Sequence, residues 1–271
     1  MNFTPQPQPT GKAPSSGRFA VHSVGGPTAL LELGGLRLLT DPTFDPPQEY
    51  PIGQRSLVKT SGPARSPGEL GSIDVVLLSH DQHPDNLDSS GREVANAAPL
   101  VLTTTSGAAR LGGTAVALAN WQHRELVRPD GGTIRITGLP AQHGPDGSEH
   151  LVGEVTGFLL SGESLPTVYI SGDNASLDVV RTVAERCGPV DVVLLFAGGA
   201  RTALLGDAYL TLSSEGAAEA ARILGARQVI PLHVEGWAHF SQGPESLAPA
   251  FDRAGLLDRL IALPPGQSIT L

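Results

Sequence analysis

Apolar and polar positions alternate along this chain in short blocks that predict strands early and a mixture of strands and helices later. Residues 18–24, 28–33 and 36–40 read as strands, split by the turn pairs Gly25-Gly26 and Gly34-Gly35. The proline-rich stretch 41–67 carries little periodic signal and is expected to be a long loop, the kind that forms lids or pocket walls. Beyond it, 73–78 is a continuous apolar run of the buried-strand type. A short helix is expected over 89–97 and a strand over 100–104, with Ser106 a candidate helix cap. In the second half, strands are expected at 133–139, 155–160, 167–171, 190–196, 228–232 and 259–263. Helices are expected at 177–187, 213–224 and 245–253, the middle one opening on Ser213 and closing before Gly225.

Strand-rich meanders with helices interspersed in both halves fit an α/β fold of two sheets packed face to face, their outer faces covered by helices. No repeat and no hinge-like linker interrupts the pattern, so 18–271 is expected to be one domain. Residues 1–17, rich in Pro, Gln and Ser, read as a disordered lead without the apolar core of a secretory signal.

Composition narrows the partners. The net charge of −9 and the lack of any Lys/Arg block argue against nucleic acid. There is no apolar run long enough for a transmembrane helix, so no membrane partner is expected and the cytoplasm is the expected location. Cys187 is the only cysteine, which rules out an intramolecular disulfide and a thiolate-rich zinc site. Its apolar, helical surroundings suit a buried structural thiol. Lys12 and Lys59 are the only lysines against many arginines, a bias that points to a GC-rich bacterial genome.

The apolar run 73–78 ends in a cluster of chemistry. Within His80-Asp81-Gln82-His83-Pro84-Asp85-Asn86-Leu87-Asp88 stand two imidazoles and three carboxylates. Imidazole with carboxylate is the donor set that zinc and related divalent ions take. A polar turn after a buried strand is the plainer alternative for this segment alone. Four other places repeat the pattern of a short apolar strand followed by a ligand type: Asp41 after 36–40, His143 after 134–140, Asp173 after 168–170, and His233 after 229–232. Donors on strand ends are held by the sheet, which gives the fixed geometry a metal site needs.

The ordered set Asp41, His80/His83/Asp85, His143, Asp173 and His233 resembles the five motifs of the metallo-β-lactamase-fold superfamily over nearly all of 18–271. Thr40-Asp41-Pro42, Leu78-Ser79-His80, Ser171-Gly172-Asp173 and Pro231-Leu232-His233 look most like its L-ascorbate-6-phosphate lactonase-like branch. The resemblance implies a four-layer αββα sandwich and a divalent-metal cofactor of one or two ions, zinc first, with manganese or iron as alternatives. It also implies that His80, His83 and His143 hold one ion, that Asp85 and His233 hold a second, and that Asp173 bridges them. Asp41 would orient a ligand from behind.

Two departures stand out. The family pattern His-x-His-x-Asp-His becomes His80-x-x-His83-x-Asp85-Asn86, with one residue inserted between the histidines. Positions i and i+3 share a face in helix-like backbone, so joint ligation survives the insertion. Asn86 stands where the last histidine belongs, and an amide oxygen is a weak, hard donor beside imidazole. The expectation is a tight first site and a second that is weak, taken by a harder ion, or empty.

The segment Trp237-Ala238-His239-Phe240 offers another histidine. His239 could line a substrate pocket with Trp237, donate a proton, or supply the missing nitrogen; alternatively, Trp237 and Phe240 pack the loop and His239 is structural. His22, His123 and His150 have no motif around them and read as surface or structural residues. Asp88 suits a helix cap, and Asp81 suits an acceptor for a histidine N–H. Ser79 lacks the surroundings of a nucleophile.

A metal-dependent hydrolase of a small ester, lactone, amide or phosphoester is the expected function, with Asp85 orienting water and taking its proton. A phosphodiesterase, an iron-dependent redox protein and a non-catalytic metabolite-binding protein with a degenerate second site are the alternatives. The expected partner is a small-molecule substrate; a homo-oligomer is left open.

Overall fold

The computed structural model describes residues 19–52 and 55–271, so the expected disordered lead, 1–17, lies outside the described residues. The chain opens with the antiparallel meander β1 (Phe19–Gly25), β2 (Thr28–Leu33) and β3 (Leu36–Thr40). The stretch expected to be a plain loop holds a hairpin, β4 (Gln48–Ile52) and β5 (Arg55–Lys59). Its pattern is hidden because both strands are largely solvent-facing and carry no buried stripe. There follow α1 (Pro67–Leu70), β6 (Val75–Leu77), α2 (Ser89–Ala97), β7 (Val101–Thr103), α3 (Thr105–Leu111) and β8 (Ala115–Ala117).

The second half runs β9 (His123–Val127), β10 (Thr133–Pro140), the short α4 (Glu149–Val152), β11 (Thr156–Ser161) and β12 (Val168–Ile170). It continues through α5 (Leu177–Cys187), β13 (Val192–Phe196), α6 (Ser214–Ile223), β14 (Gln228–Leu232), α7 (Pro244–Arg253) and β15 (Ser268–Thr270). One sheet has the order β15-β1-β2-β3-β6-β7-β8 and the other β14-β13-β12-β11-β10-β9. The expected strand at 259–263 forms no ladder and reaches β14 only through a single bridge from Leu260 to Val229. β15 instead crosses back to pair with β1 and closes the first sheet.

Side-chain alternation builds the layers. In β13, Val192, Leu194 and Phe196 face the first sheet, while Val193 and Leu195 face α5–α7. In β6, Val75 and Leu77 join the same inter-sheet core, while Val76 packs outward with Leu70 of α1 and Ala95 of α2. Strands buried on both faces read as unbroken apolar runs, which is why 73–78 and 190–196 were so plain. The result is the helix–sheet–sheet–helix sandwich of the metallo-β-lactamase fold.

Helix starts follow local chemistry. Asp88 accepts from Gly91 N to cap α2, and Ser213 accepts from Gly216 N to cap α6. The cap of α3 is Thr104, not Ser106, whose hydroxyl instead donates to Glu154. Among the described residues, no helix is long and apolar enough to cross a membrane.

Candidate metal centre

Both sheets deliver their candidate ligands at one end. β3 and β6 are parallel. β10 is antiparallel to β11 and β11 to β12, so β10 points the same way as β12, β13 and β14. Asp41 follows β3, the segment 80–86 follows β6, His143 follows β10, Asp173 follows β12 and His233 follows β14. Each candidate therefore leaves the carboxyl end of a co-directed strand.

The structure gathers six of them into two groups, His80/His83/His143 and Asp85/Asp173/His233, with the ligand atoms of each group within 4.8 Å of one another. His80 Nε2 lies 2.9 Å from His83 Nδ1, and the His143 ring centroid is 5.3 Å from each of theirs. His233 Nδ1 is 3.1 Å from Asp173 Oδ1, and its Nε2 is 3.4 Å from Asp85 Oδ2. Asp173 Oδ2 is also 3.8 Å from His143 Nδ1, so this carboxylate touches both groups. The insertion between His80 and His83 falls in a bend rather than in helix-like backbone, and the turn that follows, in which Asn86 N and Leu87 N both donate to His83 O, carries Asp85.

Backbone strain sits at two of the site residues. Asp41 and His233 have positive φ, 24° and 57°, without being glycine, a cost of roughly 1–2 kcal/mol each. Their amides are tied down, Asp41 N to Leu77 O and His233 N to Gly26 O. Gly172, before Asp173, also has positive φ, and a Cβ there would lie 2.6 Å from Thr156 O and 2.9 Å from Ser79 Cβ. Only glycine lets this turn pass between two strand ends.

Hydrogen bonds set the imidazole tautomers. The Ser79 hydroxyl donates to Asp41 Oδ2 at 2.6 Å, so at 3.0 Å it must accept from His80 Nδ1–H. His143 Nδ1–H donates to Leu210 O at 2.8 Å. Both histidines are left with a lone pair on Nε2, the form a metal requires. Asp41 thus acts on His80 through Ser79, a relay that no local sequence signal announces. Asn86 turns its amide nitrogen toward the site's carboxylates, and its Oδ1 is buried without a partner. Its Nδ2 donates to Asp41 Oδ2 (3.0 Å) and Asp173 Oδ1 (3.2 Å).

The electrostatics of the two groups differ. Burial, then the neighbouring imidazole of His83, holds His80 well below the usual histidine range, and burial also lowers His83. Burial opposes charge at His233 too, but Asp173 and Asp85 outweigh it and push its pKa up to about 10. Despite burial, His239 and His233 keep Asp85 well below the usual carboxylate range, and His233 and His143 do the same for Asp173. Burial pushes Asp41 up to about 7, against the hydrogen bonds from Ser79 and Asn86.

The donor set fits a divalent cation. Asp85 Oδ1 and His233 Nε2 are buried with no hydrogen-bond partner, an expense that buried polar atoms seldom bear without a ligand. Lone-pair nitrogens of neutral imidazoles converge beside ionised carboxylates.

The remaining candidates separate. His239 Nε2 lies 3.1 Å from Asp85 Oδ2 and lines the cavity above the site. Trp237, expected on the pocket wall, is buried behind it. It packs at 5.5 Å on Tyr50 and lies beneath Lys59 Nζ, and it does not line the cavity. Asp81 pairs with Arg110 rather than with a histidine. His123 and His150 are exposed, and His22 faces Glu32. Asp88 Oδ2 also receives Lys59 Nζ at 2.9 Å, a buried pair that roots the β4–β5 hairpin beside the ligand turn. Breaking such a pair costs about 3–5 kcal/mol.

A cavity of about 310 Å³ opens over His83, Asp85, His143, Asp173 and His239. The hairpin, α4 and the segment 200–210 wall it.

Two packed sheets with donors from both at one edge define a metallohydrolase-type fold and site. The Beta-lactamase superfamily domain matches residues 36–234, and the chain belongs to that family. A metal-dependent hydrolase from Pyrococcus furiosus is 25% identical over 209 residues, covering 76% of this chain and 84% of that protein. A possible metal-dependent hydrolase from Veillonella parvula superposes with a TM-score of 0.79 at 16% identity, over 95% of this chain and 100% of that one. Isothiocyanate hydrolase from Delia radicum gut bacteria superposes with a TM-score of 0.76 at 21% identity, over 92% and 98%.

Proposed function

We propose that this protein is a metal-dependent hydrolase of a small ester, lactone, amide or phosphoester. The observation that carries the reading is the convergence of six buried or nearly buried donors from both sheets, four of which (His83, Asp85, His143 and Asp173) line the floor of one cavity. The relatives named above support it, and the lactone belongs to the substrate class through the likeness of the strand-end motifs to the lactonase-like branch. His80, His83 and His143 would hold one ion, Asp85 and His233 a second, and Asp173 would reach both. When bound, a divalent ion polarises the electrophile and makes water acidic enough to attack near neutral pH.

The chain's own side chains supply the rest. Asp85 orients the attacking water and takes its proton, and His239, in contact with Asp85 Oδ2, donates a proton to the leaving group. Ser79 and Asp41 hold His80 in its ligating tautomer. Because three imidazoles suit zinc and the carboxylate-rich group suits a harder ion, zinc is proposed for the first group and a weaker zinc, manganese or iron ion for the second.

Elemental analysis after dialysis, followed by a lactone, ester, amide and phosphoester panel with the identified metal restored, tests this. One tightly held ion per chain is expected, with turnover of at least one substrate class that Asp85→Ala abolishes. Two tightly held zinc ions would refute the weak second site. No turnover across the panel would refute the hydrolase, and full activity of Asp85→Ala would refute the role given to Asp85.

A further inference from the structure

The cavity wall is chemically divided. Its polar floor is the ligand cluster, but its rim carries Arg55 from β5 and Arg201 from the segment after β13. Neither arginine is matched by a close carboxylate. Among the described residues Arg55 forms no ion pair, and its Nη1 donates to Thr202 Oγ1. Arg201 reaches only Asp207, at 3.9 Å, and that side chain is fully exposed. The Arg201 guanidinium is nonetheless held in place, 4.4 Å over the Tyr209 ring, while its backbone amide donates to His239 O. Its Nε is buried with no partner. In a chain with a net charge of −9, two cations on the rim of one cavity form a local positive site.

The second observation is independent. Among the described residues few large apolar side chains are exposed, and two of them, Leu151 (46%) and Leu204 (51%), stand on this same wall. With Leu57, Val152 and Leu210 they make the space between rim and floor apolar. Exposed apolar surface confined to a cavity wall marks where an apolar ligand body lies.

We infer that the substrate is an amphiphilic anion, with a carboxylate or phosphate engaged by Arg55 and Arg201 and an apolar body laid against Leu151, Leu204 and Leu210. This deepens the hydrolase reading and rests on it for the term substrate. Charge-assisted hydrogen bonds from guanidinium to a planar or tetrahedral oxyanion are the strong kind, and the hydrocarbon adds burial that inorganic phosphate lacks.

The test reads binding rather than turnover. Calorimetry on the metal-loaded full chain compares octanoate, octyl phosphate, 1-octanol and inorganic phosphate, and the Arg55→Gln and Arg201→Met variants are measured beside it with metal content checked. Binding of octanoate or octyl phosphate at least tenfold tighter than 1-octanol and inorganic phosphate is expected, and whichever anion binds more tightly identifies the headgroup. Each arginine variant is expected to weaken that anion about tenfold to a hundredfold while metal content and 1-octanol binding stay unchanged. Arg55 is exposed, so its variant keeps the fold even if Arg201→Met does not. Equal affinity for alcohol and anion, or anion binding that ignores both substitutions, would overturn the inference. Hydrolysis of a neutral ester alongside that result would leave the hydrolase standing and remove only the anion.

Discussion

The two donor groups are neighbours joined by Asp173, yet they solve opposite electrostatic problems. His80, His83 and His143 bring three imidazoles and no carboxylate of their own, and burial favours the neutral, metal-ready form of His80 and His83. Asp85, Asp173 and His233 bring two ionised carboxylates that trap a proton on the only imidazole among them. Where the family pattern has another imidazole, Asn86 directs its amide nitrogen at Asp41 and Asp173, and its Oδ1 is buried without a partner. The first group is preorganised for a metal; the second is preorganised as an ion-paired cluster that a metal must displace. Position in the fold does not separate them, since both rest on strand ends. Donor chemistry does.

The harshest way to break the comparison is to remove one imidazole. His143→Ala is expected to empty the first group and lower turnover at least about 10³-fold, the loss of roughly 4 kcal/mol of transition-state stabilisation. Elemental analysis beside steady-state kinetics on the folded variant checks it, and retained metal with near-full activity would erase the distinction between the groups.

A milder change sharpens it. Asn86→His restores a second nitrogen beside Asp85 and Asp173, and the second ion is expected to bind about tenfold or more tightly, the scale on which site-shell changes act. Metal titration reads the gain. An unchanged stoichiometry would show that Asn86 is not what weakens the second group.

The smallest effect is in pH. With its pKa raised from 6.5 to about 10 in the folded, metal-free protein, His233 favours folding. That contribution is complete below about 6.5 and is lost as pH rises through about 10. A metal entering the second group must release that proton. Affinity there is therefore expected to climb between about pH 7 and pH 10, while the first group, in which burial favours neutral His80 and His83, responds weakly. Metal titrations at several pH values across that range check the contrast, and equal slopes for both groups would cancel it.

Much of the site was legible before any coordinates. Asp41, His80, His83, Asp85, His143, Asp173 and His233 each follow an apolar run, and such runs announce the strands that carry them. The doubly buried strands 73–78 and 190–196 were plain for the same reason. The hairpin was not, because Gln48–Ile52 and Arg55–Lys59 lie against solvent and need no periodic stripe. The last strand was misplaced for a related reason. Leu260, Ile261 and Leu263 are apolar and pack against the cores, whereas β15 is a short, exposed-edge strand defined only by its pairing with β1. Trp237 is expected on the pocket wall beside His239, but it packs between Tyr50 and Lys59 while His239, two residues on, faces Asp85.

By itself, the sequence determined which apolar runs end in donors, the donor types and the two departures at 80–86, since these depend on neighbours and on side-chain alternation. Only the tertiary structure decided that Ser79 links Asp41 to His80, that Asn86 turns its nitrogen toward two carboxylates, and that His239 meets Asp85. It alone set two arginines and two exposed leucines over the same floor. Those are contacts between segments far apart in the chain. Their direction depends on how two sheets pack and on where buried hydrogen bonds can be satisfied, and no local pattern encodes either.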